Sequence, residues 1–340
     1  MRKAIVITSI NQPTDAVLKF SQWNDWQLIV VGDNKTPLNW KTENVIYLDI
    51  EKQKDLFPEL FDLIPFNSYK RKVFGYLHAI QNGAEFIFDT DDDNLPYDFA
   101  ENVLNSDINL IGTIPSRLLT STNNWTNIYS HFDATKIWPR GFPIEFINQN
   151  ENVKYEHNDN VKIGVIQYLA DIDPDVDAIF RLVENRMQNF AIDKKINLSK
   201  NLFSPFNSQA TIWKKEFFHL MFFPLGVSDR VTDIIRGYFA LASLWFYNNT
   251  IQFSSPIVYQ ERNAHNLLSD FNLEIPLYQN ATKWCNSTLE VIHALEKDVN
   301  PYFKILEKFV QDGIINHENL RAYSIYAKYI YQRRLNVCNI

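Results

Sequence analysis

Apolar positions in the first hundred residues gather into short continuous runs separated by helical periods. Residues 4–9 form one run, Leu28-Ile29-Val30-Val31 a second that stops at Gly32-Asp33-Asn34, and Val45-Ile46-Tyr47-Leu48 a third. Between the first two, residues 13–23 read as a helix. Val73, Tyr76, Leu77 and Ile80 then recur at helical spacing over residues 69–81. After Gly83 comes a fourth short strand, Phe86-Ile87-Phe88. Strands apolar on both faces and alternating with helices predict a parallel sheet covered on each side. Residues 105–160, rich in Pro, Asn, Trp and Gly, are expected to form long loops. Strand and helix patterns return over 203–224, and a helix is expected to run through Trp245. Beyond Tyr278 the spacing of Leu289, Ile292 and Leu295, and of Tyr302, Ile305, Leu306 and Phe309, predicts a helical appendage ending near Ile330. The chain is thus expected to divide into an α/β domain, 1–275, and a helical tail, 276–340.

The fourth strand runs straight into Asp89-Thr90-Asp91-Asp92-Asp93. Ligands of open α/β sheets sit outside the carboxyl ends of strands, so these acids are expected to face the ligand crevice. Like charges packed this closely repel unless a cation or water screens them. Mg²⁺ and Mn²⁺ take carboxylate and phosphate oxygens together, which makes a metal-bound diphosphate the natural ligand. A solvated acidic turn is the plain alternative.

Composition narrows the classes. A chain of 340 residues, 46% apolar and 21% charged, can bury a full core. Its net charge of -7 argues against a nucleic-acid partner. Cys285 and Cys338 give neither a disulfide framework nor zinc spacing, and a reducing cytosol fits them. No run approaches the roughly 20 apolar residues of a membrane span, and Met1 to Ile7 reads as a strand rather than a signal peptide. A cytoplasmic location is expected.

Further candidates surround the aspartates. In the loop after the first strand, Thr8, Ser9 and Asn11 can meet a base or ribose, although Thr14 or Asn11 can equally cap the next helix. After the second strand, Asp33 could accept from a nucleoside and Lys35 could meet phosphate. Arg71 and Lys72 stand at the start of a helix, where cations oppose the dipole unless an anion binds there. In Val227 to Tyr238, Thr232 or Ser228 can cap a helix, placing Asp229 and Asp233 near its N-terminus. Asp233 could take a proton from an acceptor hydroxyl, or simply pair with Arg236 on the surface. His265 could add a metal ligand.

These segments together resemble the STELLO-type glycosyltransferase family. The resemblance covers Thr8 to Thr14, Val31 to Pro37, Arg71 to Asp92, Ile137-Trp138-Pro139-Arg140-Gly141-Phe142-Pro143, Pro174-Asp175-Val176-Asp177-Ala178-Ile179-Phe180-Arg181-Leu182 and Gln260 to His265. It runs from about residue 4 to 275 and fades after about 280. More distantly the chain is similar to plant reversibly glycosylated polypeptides, which act as UDP-arabinopyranose mutases. Both resemblances imply a GT-A fold, a Rossmann-type mixed sheet with helices on both faces. Its Asp-X-Asp motif, here Asp91 to Asp93, would hold Mn²⁺ or Mg²⁺ on a sugar-nucleotide diphosphate.

Under that resemblance Asp33 and the first loop hold the nucleoside with Asp92 close by, and Arg71 or Lys72 approaches the diphosphate. Asp91, Asp93 and His265 hold the metal, while Arg140, Asp175, Asp177 and Arg230 line the sugar or acceptor pocket. Asp233 is the base if configuration inverts. The expected activity is transfer of a sugar from a nucleotide-sugar donor, UDP-linked, to a glycan or other acceptor. The alternatives are a sugar-nucleotide mutase acting through Arg140 and a non-catalytic nucleotide-sugar-binding scaffold. The Golgi setting of the plant proteins is not expected here.

Overall fold

A computed structural model describes residues 1–149, 151–184, 186–261 and 266–337. The N-terminal third builds strands β1 (Lys3–Thr8), β2 (Gln27–Val31), β3 (Val45–Leu48) and β4 (Phe86–Thr90). Helices α1 (Asp15–Phe20), α2 (Ile50–Leu56), α3 (Pro58–Phe61) and α4 (Lys72–Gln81) connect them. All four strands are parallel, in the order β3-β2-β1-β4. Why each run is apolar throughout is visible in β1. Ala4 and Val6 enter the core on the face covered by α4, whereas Ile5 and Ile7 enter the one on the opposite face, with Phe20 of α1. Successive strand residues point to opposite sides, so a strand covered twice has no polar face to spare.

Past β4 the sheet becomes mixed. The elements β5 (Asn94–Pro96), α5 (Ala100–Leu110), β6 (Thr113–Ser121), β7 (Val153–Asp171), α6 (Ala178–Val183), β8 (Lys195–Leu198), β9 (Ala210–Lys214), α7 (Asp229–Phe246) and β10 (Thr250–Gln260) follow in order. β9 lies antiparallel between β4 and β7, and β10 runs parallel to β7. The mixed α/β sheet with helices on both faces agrees with the expected fold class. Residues 105–160 do not: they hold the end of α5, all of β6 and the start of β7. β6 pairs antiparallel with the outer half of β7, where residues 154–160 are exposed. A ribbon wetted on both faces needs no apolar alternation, which is why its sequence looks like loop.

The C-terminal helices are α8 (Leu267–Ala294), α9 (Pro301–Gln311) and α10 (Glu318–Val337), the last running about two turns beyond the expected end near Ile330. The expected boundary at 275/276 falls inside α8. These helices bury Trp284, Tyr302, Phe309 and Tyr326 in the core that also holds Phe239 of α7, and Tyr326 donates to the Phe218 carbonyl at 2.9 Å. Among the described residues no helix is long and apolar enough to cross a membrane.

Candidate active site

The chain leaves β1 toward β2 on one side, then returns to place β4 on the other side of β1. This reversal is a topological switch point, the place where open α/β sheets leave a crevice. A cavity of about 640 Å³ opens there, lined by the loops after β1, β2 and β4, by the residues just before β9, by the end of β10 and by α7.

The aspartates at the end of β4 and just beyond it are held in different ways. Asp89 is wholly buried beneath the cavity, between Lys72 Nζ at 2.7 Å and Arg236 Nη1 at 3.2 Å. Burial alone would lower the Arg236 pKa, yet Asp89 beside it holds it above the usual arginine value. The expected surface pair of Arg236 with Asp233 is therefore replaced by a buried one. Asp91 accepts from the Tyr69 hydroxyl and from Lys72 Nζ at 3.0 Å. Burial pushes the Asp91 carboxyl up, against the pull of Lys72. Asp92 is held by the first loop: Ser9 Oγ donates to it, as does Asn11 Nδ2 at 3.0 Å, and Thr14 Oγ1 donates to its carbonyl. Thr14 also caps α1 through Val17 N. Asp93 accepts from Gln260 Nε2 at 2.8 Å.

The basic residues are less available than their sequence suggests. Lys72 is fully buried, with its ammonium taken by Thr90 O, Tyr69, Asp89 and Asp91. It neutralises the acids from behind and does not line the cavity, which corrects its expected place at the diphosphate. Arg71 does line the cavity, but its guanidinium donates to Gln53 Oε1 and the Ile64 carbonyl and lies against Phe61, Phe66 and Phe74. Burial lowers its pKa to about 10, partly offset by Asp33. Lys35 is exposed on its turn and lies outside the cavity lining. Asp33 lies inside, accepting from the backbone N–H groups of Asn34 and Ser68 at 2.7 and 3.1 Å. Thr36 Oγ1 donates to the Ser9 carbonyl and so ties this loop to the first.

At the far end Arg140 organises the wall. Its Nε and Nη2 donate to Asp175 at 2.9 and 2.8 Å, and its Nη1 and Nη2 to Asp233 at 3.0 and 2.9 Å. Nη1 also donates to the Arg230 carbonyl, so all five guanidinium N–H groups are engaged. Burial alone would lower its pKa, but the two carboxylates win and hold it well above the usual range. Gly141 makes the close approach possible. Its φ of +89° is open to glycine, and a Cβ there would stand 2.4 Å from Ile234 Cγ2 of α7. Asp233 faces the cavity one turn into α7. Ser228 is the N-cap residue but makes no side-chain cap bond, and Thr232 Oγ1 donates instead to the Pro224 carbonyl. Arg230 lines the cavity and is held by Glu274.

Asp177 does not belong to this wall. It is buried as the N-cap of α6, accepting from Phe180 N and from Trp138 Nε1 at 2.6 Å, so the expected Asp175/Asp177 pair is split. His265 lies outside the described residues. Thr8, Ser9, Asn11, Asp33, Arg71, Asp91, Asp92, Asp93, Arg140, Asp175, Arg230 and Asp233 meet in one cavity, as grouped from the sequence. Sequence reasoning missed Tyr69, Asn207 and Gln209, neutral residues in unmarked segments. The only available signal was position, since Asn207 and Gln209 immediately precede a strand.

No protein-family model matches the chain. It is 29% identical over 272 residues to the probable glycosyltransferase STELLO2 of Arabidopsis thaliana, a match covering 76% of this chain and 35% of the plant protein. Probable glycosyltransferase STELLO1 of the same plant is 30% identical over 257 residues, covering 72% and 33% respectively. The chain thus spans about a third of the length of the curated relatives it matches. Among solved structures it is similar to S. aureus TarS 1-349 in complex with UDP-GlcNAc, at 11% identity and a TM-score of 0.41 over 99% of this chain and 92% of that one. It is also similar to M. tuberculosis glucosyl-3-phosphoglycerate synthase, at 8% identity and a TM-score of 0.42 over 87% and 82%. Over roughly three quarters of its length, this chain is a relative of the STELLO-type glycosyltransferases.

Proposed function

We propose that this chain is a metal-dependent glycosyltransferase that moves a sugar from a UDP-linked donor to a glycan or other acceptor. The observation that carries the reading is the charge of the cavity. Seven carboxylates (Asp33, Asp91, Asp92, Asp93, Asp175, Asp229 and Asp233) and three guanidiniums line it. That excess of negative charge suits a divalent cation arriving with a diphosphate. Kinship with proteins described as probable glycosyltransferases supports the same reading.

The donor set fits Mg²⁺ or Mn²⁺. Among the described residues no cluster of three or more His, Cys, Asp or Glu forms a ready cage. Such ions keep waters and substrate phosphates beside one or two carboxylates, here Asp91 and Asp93. The ion, when bound, stabilises charge developing on the departing diphosphate. Asp33 and the loop Thr8 to Asn11 receive the nucleoside. Arg71 adds positive charge to the wall behind the anion, and Arg140, Asp175 and Arg230 shape the sugar and acceptor end. If the anomeric carbon inverts, Asp233 accepts the acceptor's proton through an oxygen lone pair that Arg140 leaves open.

Arg140 weighs against the mutase reading. Self-glycosylation needs a deprotonated guanidine nitrogen, whereas two carboxylates hold this guanidinium charged and use all its N–H groups. The deciding experiment is calorimetry of UDP with and without Mn²⁺. Binding should require the ion and vanish in Asp93→Ala while the melting temperature stays unchanged. Equal affinity in both proteins would remove Asp93 from the metal site. Incubation with UDP-sugars should leave the intact mass unchanged, and a mass gain on Arg140 would restore the mutase. Binding without any transfer or donor hydrolysis would favour a scaffold.

A further inference from the structure

We infer that Gln209 reads the donor sugar, accepting a hydrogen bond from one of its hydroxyls through Oε1; this rests on the nucleotide-sugar reading above. The orientation of its amide follows from a chain of partners that begins at a charge. The Asp93 carboxylate can only accept, so Gln260 must turn Nε2 toward it, and does so at 2.8 Å. Gln260 Oε1 then faces Gln209 and takes a bond from Gln209 Nε2 at 2.7 Å. Gln209 Oε1 is left pointing elsewhere, and no donor among the described residues reaches it. The backbone of Gln209 is equally fixed, its N–H donating to Asn207 Oδ1 at 3.0 Å and its carbonyl accepting from Thr90 Oγ1 at 2.7 Å. This is a rigid acceptor on the cavity wall, with one N–H of its own amide already engaged.

The order of strands says which part of a donor it meets. Along the shared edge, Asp33 follows β2, Ser9 follows β1, the aspartates follow β4, and Gln209 immediately precedes the antiparallel β9. Thr90 pairs with Ala210, so Gln209 stands one strand beyond the aspartates. From the Asp33 end it is three strand spacings away, about 14 Å. A diphosphate held at Asp91 and Asp93 with its nucleoside toward Asp33 directs the sugar to Gln209. The nearby cation cannot serve instead, because every N–H of Arg140 is committed to Asp175, Asp233 and Arg230. A sugar hydroxyl supplies the missing donor.

The test compares UDP with UDP-glucose, UDP-galactose, UDP-N-acetylglucosamine and UDP-arabinopyranose by calorimetry in Mn²⁺. The sugar nucleotide with the largest gain over UDP is then measured on Gln209→Leu and Gln209→Met. The gain should fall about tenfold, the scale of one lost hydrogen bond to a buried acceptor, while UDP affinity changes less than twofold. A second measurement needs no variant: deoxy analogues of that sugar on the unaltered protein should show one position whose removal costs the same factor. That loss should not add to the substitution. A parallel fall in UDP affinity, or an unchanged sugar gain, overturns the inference. If the unaltered protein binds no uridine nucleotide, the underlying reading fails and takes this one with it.

Discussion

The two ends of the cavity are built on opposite plans. At the β1, β2 and β4 end, consecutive loops leave parallel strands, and carboxylates are held by neutral partners close to the strand ends: Ser9 and Asn11 for Asp92, backbone N–H groups for Asp33. At the α7 end one buried guanidinium ties together carboxylates 35 and 93 residues away in sequence. The first arrangement holds Asp33 and Asp92 through neutral groups, with Lys72 offsetting Asp91 from behind, and so stays open to a cation. The second shares one positive charge between two carboxylates and is fully hydrogen-bonded at Arg140 before any ligand arrives, and so is rigid. One end is poised to gain charge on binding, while the other holds a shape.

The largest effect expected on transfer tests the rigid end. If Asp233 accepts the proton, Asp233→Asn should lower the transfer rate on the order of 10²–10⁴-fold with donor affinity nearly unchanged. Asp175→Asn, the other partner of Arg140, should cost far less. Equal losses in the two variants would mean that both act only by holding Arg140, and the contrast between a working carboxylate and a supporting one would disappear.

Stability sharpens the comparison along a single segment. Asp89 and Asp93 lie four residues apart, one sealed between Lys72 and Arg236 and the other in the cavity wall. Asp89→Asn leaves Arg236 buried and uncompensated, and should destabilise by about 3–5 kcal/mol. Asp93→Ala should leave stability close to that of the unaltered protein. Urea unfolding of both variants checks the pair, and a similar loss in each would show that the cavity acids also support the fold. A smaller loss, about 1–3 kcal/mol, is expected for Gly75→Ala in α4. The new Cβ would lie 2.5 Å from Val6 Cγ1 and 2.7 Å from Val31 Cγ2, at the contact that seats α4 on the parallel half. If the same unfolding experiments show no loss, α4 can shift and the parallel half is softer than its burial implies.

The same contrast explains what could be read from the chain. Parallel strands covered on both faces announce themselves as apolar runs, so β1 to β4 and the aspartates behind them were legible, along with their place at the edge of the sheet. The wetted ribbon of β6 and β7 carries no such pattern and reads as loop. In the site, the aspartates, Asp33 and Asp233 stand out as charges at strand ends or at a helix start, whereas Arg140 is reached only through the family resemblance. Gln209 and Tyr69 do not stand out, because neutral side chains become informative only once a fold brings them beside an acid. Lys72 and Asp177 misled for the opposite reason. Their charges were visible, but the sequence does not say that Lys72 turns back beneath Asp91 or that Asp177 turns into the cap of α6.

Asp177 gives the predicted effect most specific to pH. Burial raises its pKa from 3.8 to about 6, against the lowering pull of Phe180 N and Trp138 Nε1. A carboxyl whose folded pKa lies above its unfolded value favours folding while protonated. That contribution is complete below about pH 4 and is lost as the pH rises through 6. Asp177→Asn removes the titration. It also sets an amide N–H against one of two donors, a penalty that does not depend on pH. The variant should therefore be less stable than the unaltered protein at pH 4, and its deficit should shrink by on the order of 2 kcal/mol by pH 7. Calorimetric melting across that range reads the difference directly. A deficit constant from pH 4 to 7 would show that Asp177 does not titrate there, and that its two donors hold the carboxylate ionised in spite of burial.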